Sequence, residues 1–341
     1  MKLNIATIKK FYFAKRGAIK KKLLKLGEND YYPQLIKPKY SILTNSQRFN
    51  FWNYLAKKNR AFSHFYQEDP EDHFLKYTDL RKNNIYFDIL KEFYKNGIVE
   101  VKNFFNETDH KLIKSQFQST TVKDLELKKR STFLCQNNEI NNTIHHQIKN
   151  IEEIIFGKFQ KVQDYTFESI KKTKNEISSV STSSSWHMDR FIPCIKLMYC
   201  PTKVMIDPFE YALKSHIINK QFFQNINQII DNESYLKNEK NINKISEINN
   251  EKFADIQKLS KIEDILDNNI NFDNYKKKKF YCDENSLLII AVHGLHRRSQ
   301  TKELEIEGIR NNCTVGYANQ YTRYNLLKLF LKKNLYKKQT I

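Results

Sequence analysis

Short apolar runs separated by polar turns dominate the middle and the C-terminal third of this chain. Ser286-Leu287-Leu288-Ile289-Ile290-Ala291-Val292 follows the turn residues Glu284-Asn285 and is too short for an ordinary helix, which predicts a buried strand. β-Branched or alternating segments predict further strands at Tyr165 to Lys171, Ser178 to Ser184, Ile195 to Cys200 and Asn312 to Ala318. This pattern suits a sandwich or barrel rather than a βαβ sheet. No Gly-x-Gly-x-x-Gly or Gly-Lys-Ser/Thr phosphate loop is present, so nucleotide-driven chemistry is disfavoured.

Helical spacing takes over elsewhere. Ile8, Ile19, Leu23 and Leu26 recur among lysines and predict an amphipathic helix or helical pair, packed on the protein body or laid on an anionic membrane. Ser46 is a good N-cap for the aromatic segment Phe49-Asn50-Phe51-Trp52-Asn53-Tyr54-Leu55. The stretch from Ile217 to about Lys279 is rich in Asn, Ile, Lys and Glu and has no glycine or proline. It predicts helices such as Ile218 to Ile230 and Asn250 to Leu266, inserted between strands, or alternatively a partly disordered loop. The expected organisation is a basic, aromatic-rich helical extension over 1–84, a β domain with flanking helices over 85–325 carrying the insertion 217–279, and a basic tail over 326–341.

Composition changes this picture little. A chain of 341 residues accommodates one large domain with insertions or two domains. No apolar stretch nears the roughly 20 residues that span a bilayer, and the N-terminus lacks the apolar core of a signal peptide, so the cytoplasm is the default expectation, with peripheral membrane contact through 1–26 as the variant. Five cysteines form no Cys-x-x-Cys pair, which disfavours a disulfide framework and a zinc ribbon. The net charge of +20 invites a nucleic-acid or anionic-membrane reading. Much of it is lysine beside asparagine and isoleucine, a bias that A+T-rich coding also produces, and no recognition-helix or RNA-binding signature accompanies it. A nucleic-acid partner is therefore not expected.

The chemistry concentrates at Trp186-His187-Met188-Asp189. In an extended segment i and i+2 share a face, so a strand or strand end from Ser185 to Phe191 would turn His187 and Asp189 the same way. Two imidazoles and one carboxylate can occupy one face of an octahedral iron. The third ligand would come from His293 or His296 after the buried strand, and on a regular strand their separation of three sends them to opposite faces. Arg310 follows on the next predicted strand.

These segments resemble the phytanoyl-CoA dioxygenase-like family of Fe(II)/2-oxoglutarate-dependent oxygenases. Phe93 to Phe105, with Gly97, is similar to the family's opening helix, glycine and first strand. Trp186-His187-Met188-Asp189 is similar to its metal dyad, and Pro208-Phe209-Glu210-Tyr211-Ala212-Leu213-Lys214-Ser215-His216 to its GPF-x-x-x-x-GSH loop. Asp207 and Lys214 stand where that loop usually has glycines. Gly294-Leu295-His296-Arg297 resembles the G-F-H-R segment, and Gly308-Ile309-Arg310 the strand that grips 2-oxoglutarate. The resemblance, over about residues 88 to 320, implies a double-stranded β-helix, a jelly-roll or cupin-like barrel. It implies His187, Asp189 and His296 as Fe(II) ligands, selecting His296 over His293, and Arg310 as the anchor of the 2-oxoglutarate cosubstrate. With O2, such a site hydroxylates a small-molecule or lipid-like substrate and releases succinate and CO2. His216 would shape the site rather than bind metal. The competing expectations are a catalytically silent barrel that only binds, and a basic membrane-surface or nucleic-acid binder in which the dyad is accidental.

Overall fold

The computed structural model describes residues 65, 86–119, 130–134, 137–151, 159–161, 165–175, 186–189, 194–222, 224, 225, 228 and 270–319. The N-terminal segment 1–26, the capped aromatic helix at 49–55, the expected strand 178–184, the expected helix 250–266 and the tail 326–341 lie outside the described residues. The chain divides into two compact units, Met1–Thr44 and Asn45–Ile341, and every described residue belongs to the second.

In chain order the elements are α1 (Phe87–Asn96), β1 (Ile98–Val101), α2 (Glu107–Ser119), β2 (Arg130–Leu134), α3 (Asn138–Ile151), β3 (Phe159–Lys161), β4 (Thr166–Lys172), β5 (Cys194–Cys200), β6 (Phe209–Ala212), β7 (Lys277–Phe280), β8 (Ser286–Ala291), β9 (His296–Arg298) and β10 (Gly308–Asn319). Seven strands form one antiparallel sheet in the order β1-β8-β5-β10-β4-β2, with β3 added on β10, and the other three form β7-β6-β9. The expected strands at 165–171, 195–200 and 312–318 are observed within a residue or so, except that β10 begins four residues earlier, at Gly308. Of the expected helix 218–230, residues 220–222, 224, 225 and 228 are helical.

The two sheets face each other. Residues paired across antiparallel strands share a face, so the register Ile98↔Ile290↔Lys196 and Leu288↔Met198 puts these side chains on the side turned to the smaller sheet. There Ile98, Met198, Leu288 and Ile290 pack with Phe209, Tyr211 and Phe280 in one core. The alternate residues Leu197, Leu287 and Val315 face the helices, where they meet Phe105, Ile144 and Ile148 around a small apolar cavity. This is why β8 is buried at every position and reads as an unbroken apolar run: it has core on both faces.

The helices are amphipathic for the same reason. In α3, Ile140, Ile144, Ile148 and Ile151 form a buried stripe at spacings of four, four and three. Asn137 Oδ1 caps its start by accepting from Glu139 N at 2.9 Å, and Asn106 Oδ1 does the same for α2 through Asp109 N at 2.9 Å. Gly97 ends α1 at φ 82°, where its N–H returns to Phe93 O at 2.7 Å.

Ile289 lies at the centre of β8 and is 0% exposed. Ile289→Ala should lower unfolding stability by about 2–5 kcal/mol. Urea denaturation of the two proteins checks this, and a loss under about 1 kcal/mol would contradict packing on that face.

Candidate metal centre

His187 and His296 are joined backbone to backbone: His187 N donates to His296 O at 2.9 Å and His296 N to His187 O at 3.0 Å. The segment around His187 is thus not a regular strand but a single bridge onto β9. The next residue but one, Asp189, is pinned by its N–H on Val292 O at 3.0 Å. Being opposite one another, the two histidines share a face, and they share it with Tyr211 through the β6–β9 register. His187 Nε2 and His296 Nε2 each lie 3.4 Å from Asp189 Oδ1. The three donor atoms fall within 4.8 Å of one another, a group able to hold a metal ion.

The neighbours of this group prepare it as a ligand set. His296 Nδ1 donates to Gly294 O at 2.9 Å, which leaves Nε2 with its lone pair toward Asp189. The His296 ring stacks on Phe209, with centroids 5.3 Å apart. Burial, with the adjacent His187, lowers its pKa, so the imidazole stays neutral. Burial opposes ionisation of Asp189, yet the Lys196 ammonium holds its carboxyl well below the usual carboxylate range. Lys196 Nζ sits 2.5 Å from Asp189 Oδ2. Behind the bridge, Arg297 lies over the Trp186 ring at 4.9 Å and donates through Nε to Glu210 Oε2 at 2.7 Å.

Arg310 projects from the start of β10 and is 4% exposed. Its Nη1 donates to Asp207 O at 2.6 Å and its Nη2 lies 3.6 Å from Met198 Sδ. Nε has no hydrogen-bond partner and, among the described residues, the guanidinium forms no ion pair. A buried guanidinium of this kind is able to pair with an anion. The loop that receives it keeps a left-handed backbone at the two positions where glycine was expected: Asp207 has φ 45° and Lys214 φ 69°. Side-chain chemistry offsets that strain at Asp207, whose N–H donates to Thr301 Oγ1 at 2.7 Å and whose Oδ1 accepts from Thr301 N at 3.0 Å.

His293 goes elsewhere. The chain leaves β8 at Ala291 and turns through Val292 to Gly294, so a turn rather than strand parity separates the directions of His293 and His296. The turn packs tightly: a Cβ on Gly294 would fall 2.1 Å from Tyr211 Oη, and that hydroxyl donates to Ala291 O at 2.9 Å. His293 is fully buried beside Phe65, Phe222 and His216. His216 hydrogen-bonds Tyr94 O through Nε2 at 2.8 Å. Cys194 faces the core between the sheets, whereas Tyr199 faces the helices and meets His110 Nδ1 at 2.5 Å.

Sequence reasoning missed Lys196 and Phe209. The signal for Lys196 was present: it is the one charged residue in the apolar strand Cys194-Ile195-Lys196-Leu197-Met198-Tyr199-Cys200. Phe209 carries no such mark, since its stacking partner is set by the pairing of β6 with β9.

No protein-family model and no curated protein matches the chain. Among solved structures it is similar to HygX from Streptomyces hygroscopicus with nickel and 2-oxoglutarate bound, at 10% identity over 70% of this chain and 89% of that one, TM-score 0.40. It is similar to the non-heme alpha ketoglutarate dependent carbocyclase SnoK from nogalamycin biosynthesis, at 10% identity over 69% and 84%, TM-score 0.40. EctD from S. alaskensis with bound Fe stands at 7% identity over 72% and 81%, TM-score 0.43. Likeness at this level lends the chain no activity.

Burial lowers the pKa of His216 to about 4 and that of His293 to about 3. In the unfolded chain both titrate near 6.5. Between those limits the unfolded state binds more protons, so stability should fall as pH drops from about 6.5 toward 4, by about 1.4 kcal/mol per pH unit for each histidine. Denaturant titrations across pH 4.5 to 6.5 on the metal-free protein measure the slope, and His293→Gln should reduce it by about 1.4 kcal/mol per pH unit. A flat profile for the unaltered protein would refute neutral burial of the pair.

Proposed function

We propose that the chain is an Fe(II)/2-oxoglutarate-dependent oxygenase with a double-stranded β-helix, of the phytanoyl-CoA dioxygenase-like kind. In this reading it hydroxylates a small-molecule substrate. The observation that carries the reading is the convergence of His187 Nε2, Asp189 Oδ1 and His296 Nε2 on one point, on two elements that the fold locks together. Two neutral imidazoles and one ionised carboxylate are the donor set of non-heme Fe(II) oxygenases. Zinc would accept the same atoms, but a second feature favours iron with an anionic cosubstrate. Arg310, on the adjoining sheet, holds a buried guanidinium that forms no ion pair among the described residues.

His187, Asp189 and His296 would hold the metal, and Arg310 would bind the far carboxylate of 2-oxoglutarate through its planar fork. Bound Fe(II) would supply the redox chemistry that couples decarboxylation of 2-oxoglutarate by O2 to hydroxylation of a substrate C–H bond. The chain's own part is orientation and the exclusion of water. His296 is held by Phe209 on its face and Gly294 O at its Nδ1, and Asp189 by Val292 O at its N–H and by Lys196 at Oδ2. An acidic residue at 189 keeps this ligand position from an exogenous halide, which is why hydroxylation is the expected outcome. Substrate recognition falls to the surrounding loops, so lipid-like or polar character is a matter for a substrate screen.

The test has two arms. Under anaerobic conditions the protein should bind one equivalent of Fe(II), and His187→Ala or Asp189→Ala should abolish 2-oxoglutarate-dependent succinate formation. Arg310→Ala should leave metal binding largely intact and weaken 2-oxoglutarate binding by about 2–5 kcal/mol, the scale for truncating one partner of a buried charge pair. Unchanged turnover in the first pair of variants would remove the ligand assignment, and unchanged cosubstrate affinity in the third would remove the anchor.

A further inference from the structure

Lys196 belongs to neither the expected ligand set nor the expected cosubstrate anchor, yet it makes the closest charged contact in the site. Its ammonium lies 2.5 Å from Asp189 Oδ2, while Asp189 Oδ1 lies 3.4 Å from both His187 Nε2 and His296 Nε2. The two oxygens of one carboxylate are thus divided between two tasks. Lys196 reaches this place from the inward face of β5, opposite Ile290 on one side and Gly316 on the other. A rigid central strand of the larger sheet therefore fixes the orientation of a carboxylate carried by a short bridge segment.

We infer that Lys196 is a positioning residue that holds Asp189 as a one-oxygen ligand and so keeps a coordination position free for the cosubstrate or O2. The inference rests on the proposed function. An octahedral ion has six positions; three protein atoms leave three, and a chelating 2-oxo acid uses two of them. A carboxylate binding through both oxygens would take a fourth and leave no room for both partners. An ammonium on Oδ2 opposes that, since it takes one of that oxygen's lone pairs and its positive charge repels a metal drawn toward the same oxygen. The arrangement also carries a definite prediction about sign. Removing the cation should not loosen the metal: it frees a second ligand oxygen and removes a repelling charge. It should instead penalise the cosubstrate.

The test uses the full chain, freed of metal and titrated anaerobically with Co(II), whose d–d absorption reports coordination geometry, and then with 2-oxoglutarate. Lys196→Met should bind Co(II) at least as tightly as the unaltered protein, with a changed d–d spectrum, and should bind 2-oxoglutarate roughly tenfold or more weakly, within the range that outer partners of metal ligands contribute. Lys196→Arg should restore both the spectrum and the cosubstrate affinity. If Lys196→Met fails a far-UV circular dichroism check, Lys196→Gln makes the same comparison. A Lys196→Met or Lys196→Gln protein that is folded but loses Co(II) affinity would reduce Lys196 to packing, and one that reproduces both the original spectrum and cosubstrate affinity would remove it from the site. Asp189→Ala separates the two levels of the claim. If the unaltered protein binds no Co(II) that Asp189→Ala abolishes, the metal centre itself is wrong and the inference falls with it. If it does bind, an unresponsive Lys196 variant overturns the inference alone.

Discussion

Two reciprocal backbone hydrogen bonds between His187 and His296 hold this site together. Without them the dyad would sit on a segment that no sheet includes, and its separation from the distal histidine would be a matter of loop entropy. With them, two residues more than a hundred positions apart become direct neighbours on one face of a sheet. The rest follows in order. β9 is fixed by β6, β6 presents Phe209 to the His296 ring, and Tyr211 two residues on fills the space that Gly294 leaves beside the turn. A side chain at Gly294 would meet the Tyr211 hydroxyl, so the glycine there is a packing requirement on the residue two before His296.

The turns on either side of β6 show the same principle with different chemistry. Left-handed backbone at a residue with a Cβ costs roughly 1–2 kcal/mol, and glycine avoids that cost. Asp207 and Lys214 do not avoid it. Asp207 compensates through its carboxylate, which ties the loop to Thr301 and approaches Arg298 at 3.7 Å, and through its carbonyl, which receives Arg310. The same residue thus shapes the loop and docks one end of the guanidinium. Lys214 compensates with the backbone alone, its N–H on Asn96 O and its O receiving Ile217 N.

How much of this could be read from the sequence depended on whether the signal was local. The buried strand at 286–291 was legible because an apolar run with a turn before it has few other uses, and the dyad was legible because i and i+2 spacing survives even in a single bridge. β10 was expected too short, since its first residues, Gly308 to Asn311, lack an apolar alternation; their pairing with Lys172, Lys171, Ile170 and Ser169 of β4 extends it. The direction of His293 was reached by a wrong route. Strand parity separates it from His296 only where the strand continues, and here the chain turns. Lys196 was visible as a lone charge in an apolar strand, but which acid it meets is a tertiary fact. It depends on how Val292 joins Asp189 to Cys194, through hydrogen bonds of 3.0 Å on each side.

That last connection also places the two cations relative to each other. Lys196 and Met198 both face inward from β5, two residues apart, which is about 7 Å of strand rise. The ammonium of the first closes on Asp189 beside His187 and His296, and the sulfur of the second supports the Arg310 guanidinium. Under the proposed function, the metal-binding and anion-binding ends would be set apart along one strand by about this rise. Under the proposed function this spacing selects for length as well as charge. A monocarboxylic 2-oxo acid could chelate the metal but would leave the buried guanidinium without a counter-charge, and a much longer diacid would have to fold to satisfy both ends. The spacing of β5 thus limits which cosubstrates can engage both ends at once, independently of the loops that choose the substrate.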